Sequence, residues 1–246
     1  MILLVGTTHD DILYFESKIR NSREEKIFKG ITATIGTIYN QEVMLLHNVY
    51  TSYMSSTLIT RIIDRYYVVL VFLVGKCVAL SSDVKPGQIM VSKLIYFGDV
   101  NQYGKHESSL GQIPTLPRFF EGDDYVLKVL ESCFNRLYIH ADYRLATFIS
   151  KNIIVKDKED IADISTNDIY YGIKDNVVFD SETGGAALAC YLNDVPFLAI
   201  KVVEHSIGVE SNIDSYIDVL AKYSDVGKAL TACIGEITRN EVKDHD

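Results

Sequence analysis

The run YYVVLVFLVG, Tyr66 to Gly75, constrains the fold more than any other stretch of the chain. It is about half the length that a membrane-spanning helix needs. It is also apolar at consecutive positions rather than alternate ones, so a strand made from it has two faces to hide. The reading that satisfies both facts is a fully buried parallel strand, which requires helices on both sides of a sheet.

The rest of the chain supplies that setting. Apolar runs of strand length recur at Ile2–Val5, Ile31–Ile38, Glu42–Asn48, Val68–Val74, Gln88–Ile95, Leu145–Ile149, Val177–Phe179 and Pro196–Val203. Helical spacing of apolar residues falls between several of them, at Asp10–Ile19, Ser56–Tyr66, Asp124–Leu137, Gly185–Leu192 and Ile213–Ile237. Strand alternating with helix predicts an α/β fold of three layers, α/β/α, around a central mixed, largely parallel sheet. The 246 residues, 48% of them hydrophobic, suffice for one core, and no repeat or linker divides them. A single domain over 1–246 is expected. The irregular stretch 96–122 is too long for a plain connection and is expected to be a binding lid or interface arm.

Charge and cysteine usage narrow the function classes. A net charge of −9 with no basic run excludes a nucleic-acid footprint, and no segment is long and apolar enough for a membrane. MILLVG at the start has neither a basic leader nor a cleavage site, so no secretory signal is expected. Cys77, Cys133, Cys190 and Cys233 lack disulfide or metal-ligand spacing, which suits a reducing cytoplasm and predicts neither metal nor cofactor.

In open α/β sheets ligands sit beyond the carboxyl ends of the strands. Three such ends here are ionisable: TTHDD after ILLVG (His9, Asp10, Asp11), DSE after NVVF (Asp180, Ser181, Glu182), and EHS after FLAIKVV (Glu204, His205). Each acid taken singly also reads as a helix cap or first-turn charge.

Segments in a fixed order across nearly the whole chain resemble the nucleoside phosphorylase and nucleosidase superfamily, nearest to its 5′-methylthioadenosine/S-adenosylhomocysteine nucleosidase branch. They are VKPGQIMVS at 84–92, DVNQYG at 99–104 with GQIP at 111–114, and DSETGGAALACYLNDVPFLAIK at 180–201. The last is the most specific. The resemblance implies cleavage of the bond between ribose C1′ and a purine nitrogen, with a small nucleoside as partner. It also implies a homodimer in which Tyr103 and Pro114 line the 5′ end of the neighbour's ligand.

The chemistry fits the residue types. As the glycosidic bond lengthens, the sugar approaches an oxocarbenium ion and the base an anion. Glu182 is placed to hold the ribose and stabilise that cation, and Asp11 to deprotonate the attacking water where the family has a longer Glu. His205 stands where the family has the Asp that protonates the leaving base, and Glu204 is its neighbour in reserve. Asp180 and Ser181 are implied at the sugar, Ser181 replacing a methionine. Ile154 falls where an aromatic stacks on the base, and Cys77 and Val78 stand in a loop that is glycine-rich in the family and reads GKCVA here. Arg61, Arg65, Arg118 and Arg144 sit in no recognisable phosphate motif. Three outcomes remain open at this stage: hydrolysis, phosphorolysis, and nucleoside binding without cleavage.

Overall fold

A computed structural model describes residues 1–100, 111–139, 143–162, 176–209 and 213–243. The described strands are β1 (Ile2–Gly6), β2 (Arg20–Phe28), β3 (Ile31–Ile38), β4 (Gln41–Leu46), β5 (Leu70–Ala79), β6 (Ile89–Phe97), β7 (Phe120–Glu121), β8 (Tyr143–Ser150), β9 (Val177–Asp180) and β10 (Phe197–Ser206). The α-helices are α1 (Leu13–Glu16), α2 (Ser52–Arg65), α3 (Asp124–Arg136), α4 (Thr183–Leu192) and α5 (Ile213–Lys243). All ten strands join one mixed sheet in the order β10-β6-β8-β9-β5-β1-β4-β3-β2, with β7 on β6.

From Leu70 to Gly75 the apolar run lies where its composition requires, in β5. Tyr66 ends α2 and Tyr67 is 86% exposed, so the strand starts four residues later than the run. β5 pairs parallel with β1 on one side and with β10 on the other. Val71 and Leu73 face one core with Leu3, Val5, Leu58, Ile59 and Ile62, under α2 and α4. Phe72 and Val74 face a second core with Ile2, Leu4, Val126, Leu130 and Leu230, under α3 and α5. Each such side chain contributes roughly 1.5–3 kcal/mol by leaving water, which is what fixes this strand at the centre. Past Gly75 the strand does not become a loop. Lys76 to Ala79 continue along β10, and Val78 and Ala79 also pair with β9, so the sheet curls back on itself at the carboxyl end of β5.

Three sequence expectations are corrected here, and one strand is added. Asp10–Ile19 is not one helix: only Leu13–Glu16 is helical, because the chain turns into β2 at Arg20. β2 itself, RNSREEKIF, was unforeseen, since its charged and mostly exposed residues hide the periodicity of an edge strand. The irregular stretch 96–122 begins and ends as strand, in β6 and β7. α2 starts four residues earlier than its apolar spacing suggests, because Thr51 caps it by accepting from Met54 N at 3.2 Å.

Close packing of α4 on α2 depends on one glycine. A Cβ on Gly185 would lie 1.9 Å from the Ser52 carbonyl oxygen. The same region is tied by Ser55 Oγ, which donates to the Glu182 carbonyl at 2.7 Å, and by Ser52 Oγ, which donates to the Ser181 carbonyl at 3.0 Å. These bonds hold the turn between β9 and α4 in place. All four cysteines are buried and free.

Candidate active site

Beyond the carboxyl ends of β1, β5 and β10, and at the junction of β9 with α4, lies a cavity of about 340 Å³. Thr7, Thr8 and Asp11 reach it from the segment after β1, and Lys76, Cys77 and Val78 from the end of β5. Asp180, Ser181 and Glu182 come from the β9–α4 turn, Glu204 and His205 from β10, and Tyr50 and Ile153 to Val155 from loops. The three ionisable strand ends therefore meet around one hollow.

The two carboxylates at its floor are held differently. Asp11 is 4% exposed, and its Oδ2 accepts from the Thr8 backbone N–H at 2.6 Å. Its Oδ1 is buried without a hydrogen-bond partner. The buried Tyr223 hydroxyl of α5 faces this carboxylate without reaching hydrogen-bond geometry; burial and the Asp11 charge push the phenol well above its ordinary range. Glu182 is fully enclosed. Its Oε1 accepts from the Thr7 hydroxyl and from the Lys201 ammonium. Its Oε2 lies 2.9 Å from Ser181 Oγ and 3.2 Å from Ser181 N. Burial pushes the Glu182 carboxyl up from its ordinary value, against the opposing pull of Lys201.

Lys201 is the residue that sequence reading passed over. It sits in mid-β10 with no exposed surface, 3.2 Å from Thr7 Oγ1 and 3.4 Å from Asp180 Oδ2. Burial opposes its charge, but Glu182 and Asp180 outweigh burial and hold the ammonium above its ordinary value. A charge between Ile200 and Val202 in an otherwise apolar strand was the available signal. A Cβ on Gly75 would approach its Nζ to 3.0 Å and Thr7 Oγ1 to 2.3 Å, so the glycine keeps room for this cluster.

Asp180 lines the cavity yet spends its oxygens on structure. Oδ1 accepts from Ser150 Oγ at 2.6 Å and Thr183 N at 3.3 Å, while Oδ2 takes the Thr183 hydroxyl beside Lys201. Here the capping role read from sequence is realised.

Glu204 and His205 both line the cavity although neighbours on a strand ordinarily point to opposite faces. The cause is a bulge: β10 and β5 pair Val203 with Cys77 and His205 with Val78, leaving Glu204 as the extra residue. Glu204 Oε1 is 3.2 Å from Lys76 Nζ across the strands. Burial raises the Cys77 thiol well above its ordinary value, which disfavours the thiolate that a nucleophile needs. Ile154 is 76% exposed at the rim. Pro114 is half-buried and does not line this cavity, and Tyr103 lies outside the described residues. Arg61 and Arg65 are surface residues of α2, over the Phe28 ring and beside Glu25, and none of the four arginines considered above borders the cavity. Among the described residues no set of three or more His, Cys, Asp and Glu side chains is grouped to hold a metal ion.

The sequence profile of the phosphorylase superfamily matches residues 2–237. The chain belongs to the phosphorylase superfamily. Within that superfamily it is similar to the 5′-methylthioadenosine/S-adenosylhomocysteine nucleosidase of Listeria monocytogenes, at 24% identity over 90% of this chain and 94% of the relative. The nucleosidase of Buchnera aphidicola is also 24% identical, over 91% of this chain and 86% of its own length. Solved superfamily structures share the fold. The S. pneumoniae nucleosidase with a transition-state inhibitor superposes with a TM-score of 0.81 at 18% identity, covering 95% of this chain and 98% of that one. The Campylobacter jejuni nucleosidase gives 0.85 at 14% identity over 96% and 98%. Among the described residues no helix is long and apolar enough to cross a membrane.

Proposed function

We propose that the protein hydrolyses the N-glycosidic bond of a purine nucleoside of the 5′-methylthioadenosine or S-adenosylhomocysteine class, releasing the free base. The observation that carries this reading is the placement of Asp11, Glu182 and His205 around one cavity of about 340 Å³, within the size range of small-molecule sites. The relatives named as nucleosidases, covered over nearly their whole length, support the substrate class.

In the proposed reaction the ribose lies over Glu182, whose charge develops its worth as C1′ becomes cationic. Asp11 takes a proton from the attacking water, whose oxygen bonds to C1′. The electron pair of the breaking C–N bond leaves with the purine, and His205 supplies that base with a proton. Lys201 and Thr7 hold Glu182 in position. Ser181 approaches the sugar, Cys77 and Val78 form the wall, and Ile154 closes over the base from the rim. The protein acts as one domain in a cytoplasmic homodimer, in which Tyr103 and Pro114 complete the neighbour's site. This last reading rests on the likeness of the 99–114 segment to the family's lid arm.

The test is a nucleoside panel incubated with and without phosphate. Free adenine from 5′-methylthioadenosine in phosphate-free buffer is expected. A sugar 1-phosphate formed only with phosphate would replace hydrolysis by phosphorolysis, and saturable binding without any product would remove catalysis from the reading.

A further inference from the structure

Away from the catalytic cavity, Lys18, Arg20 and Arg239 stand around a hollow of about 520 Å³ between the β3–β4 turn and the C-terminal half of α5. The three cations arrive from separate segments: the end of the α1 turn, the start of β2 and the last turns of α5. Among the described residues none of them is ion-paired with a carboxylate, and Lys18 lies 5.3 Å from the Tyr14 ring centre. Other basic residues of the chain do find acids, as Arg65 finds Glu25 and Arg136 finds Glu236. All three are exposed, and three like charges around one hollow, in a chain of net charge −9, attract an anion.

The hollow also holds an unused polar group. Thr231 is 6% exposed, and its Oγ1 is buried without a hydrogen-bond partner. A buried hydroxyl left unsatisfied costs free energy that a ligand acceptor would recover. The opposite wall is fixed by Tyr39, a bulky residue at φ 50° in the hairpin turn, whose ring rests where a Cβ on Gly235 would come within 2.9 Å of it. A bulky side chain in that region of backbone space is uncommon.

We propose that this hollow binds a small phosphate-bearing anion, with Arg20, Arg239 and Lys18 pairing its oxygens and Thr231 donating to it. Two guanidinium forks and an ammonium match a group that offers several oxygens and more than one negative charge, which a single carboxylate does not. The hollow shares no lining residue with the catalytic cavity, so the site stands whatever the nucleoside reaction proves to be.

Calorimetric titration of the full chain with inorganic pyrophosphate at low ionic strength, where surface charges are least screened, tests it. Saturable binding is expected, weakened roughly tenfold or more in the R20A/R239A double variant and a few-fold in Thr231→Val. The double variant keeps its nucleoside hydrolysis, and Glu182→Gln keeps its pyrophosphate binding, which locates the anion outside the catalytic cavity. Absence of binding to the unaltered chain, equal binding by the double variant, or loss of binding in Glu182→Gln overturns the proposal.

Discussion

The Lys201 ammonium rests on the Glu182 carboxylate and 3.4 Å from Asp180, so one buried cation serves two buried anions. All three side chains are at most 2% exposed. Removing the cation strands two charges in a medium that cannot solvate them. Lys201→Met is expected to lower stability by about 3–5 kcal/mol, the usual cost of breaking a buried pair from one side. Urea unfolding checks it, and a loss under about 1 kcal/mol would mean that water reaches these carboxylates.

The raised Glu182 carboxyl sets the acid side of the pH profile. A carboxyl with an elevated pKa is already protonated at pH values where an ordinary Glu, near 4.3, is ionised. Catalysis needs the anion, so kcat/KM falls with decreasing pH at values above about 4.3. In Lys201→Gln, which loses the charge that pulls the other way, the acid limb moves further up. A profile flat down to pH 4 contradicts this assignment of Glu182.

Gly185→Ala meets backbone rather than a yielding side chain, 1.9 Å from the Ser52 carbonyl. α4 must move off α2, and the β9–α4 turn that carries Glu182 moves with it. A destabilisation of about 3 kcal/mol, at the upper end of overpacking costs, is expected in urea, with activity reduced in the folded fraction.

The bulge that turns Glu204 and His205 into the same cavity allows the acid to be identified by substitution. His205→Asn is expected to slow release of the base about 100-fold, the scale of a lost general acid. Glu204→Gln, which only loosens the Lys76 pair, is expected to change it less than tenfold. The reverse order, read from initial rates of adenine release, would transfer the role to Glu204.

Much of this site was legible before the fold. Asp11, Glu182 and His205 each follow an apolar strand. β1 and β10 run parallel to β5 and deliver Asp11 and His205 to one side. Glu182 arrives from β9, which pairs antiparallel with the carboxyl end of β5. Ser181, Cys77, Val78 and Ile154 came from the resemblance, and all of them border the cavity. What escaped had physical reasons. Lys201 lies inside a strand, and its partners are 19 and 21 residues earlier, a relation that only the return of the chain creates. Tyr223 comes from a helix on the far face of the sheet. Glu204 was named beside His205, but the bulge that turns both into the cavity is not revealed by alternation in sequence. β2 was hidden because an exposed edge strand is selected for charge rather than for period.

The most direct measurement of the central claim is adenine release from 5′-methylthioadenosine in phosphate-free buffer by the unaltered chain, Asp11→Asn and Glu182→Gln side by side. The account predicts turnover by the unaltered chain and a fall of roughly 100-fold or more in each variant, with both variants still folded. Turnover undiminished in either variant, or no adenine from the unaltered chain, would contradict it.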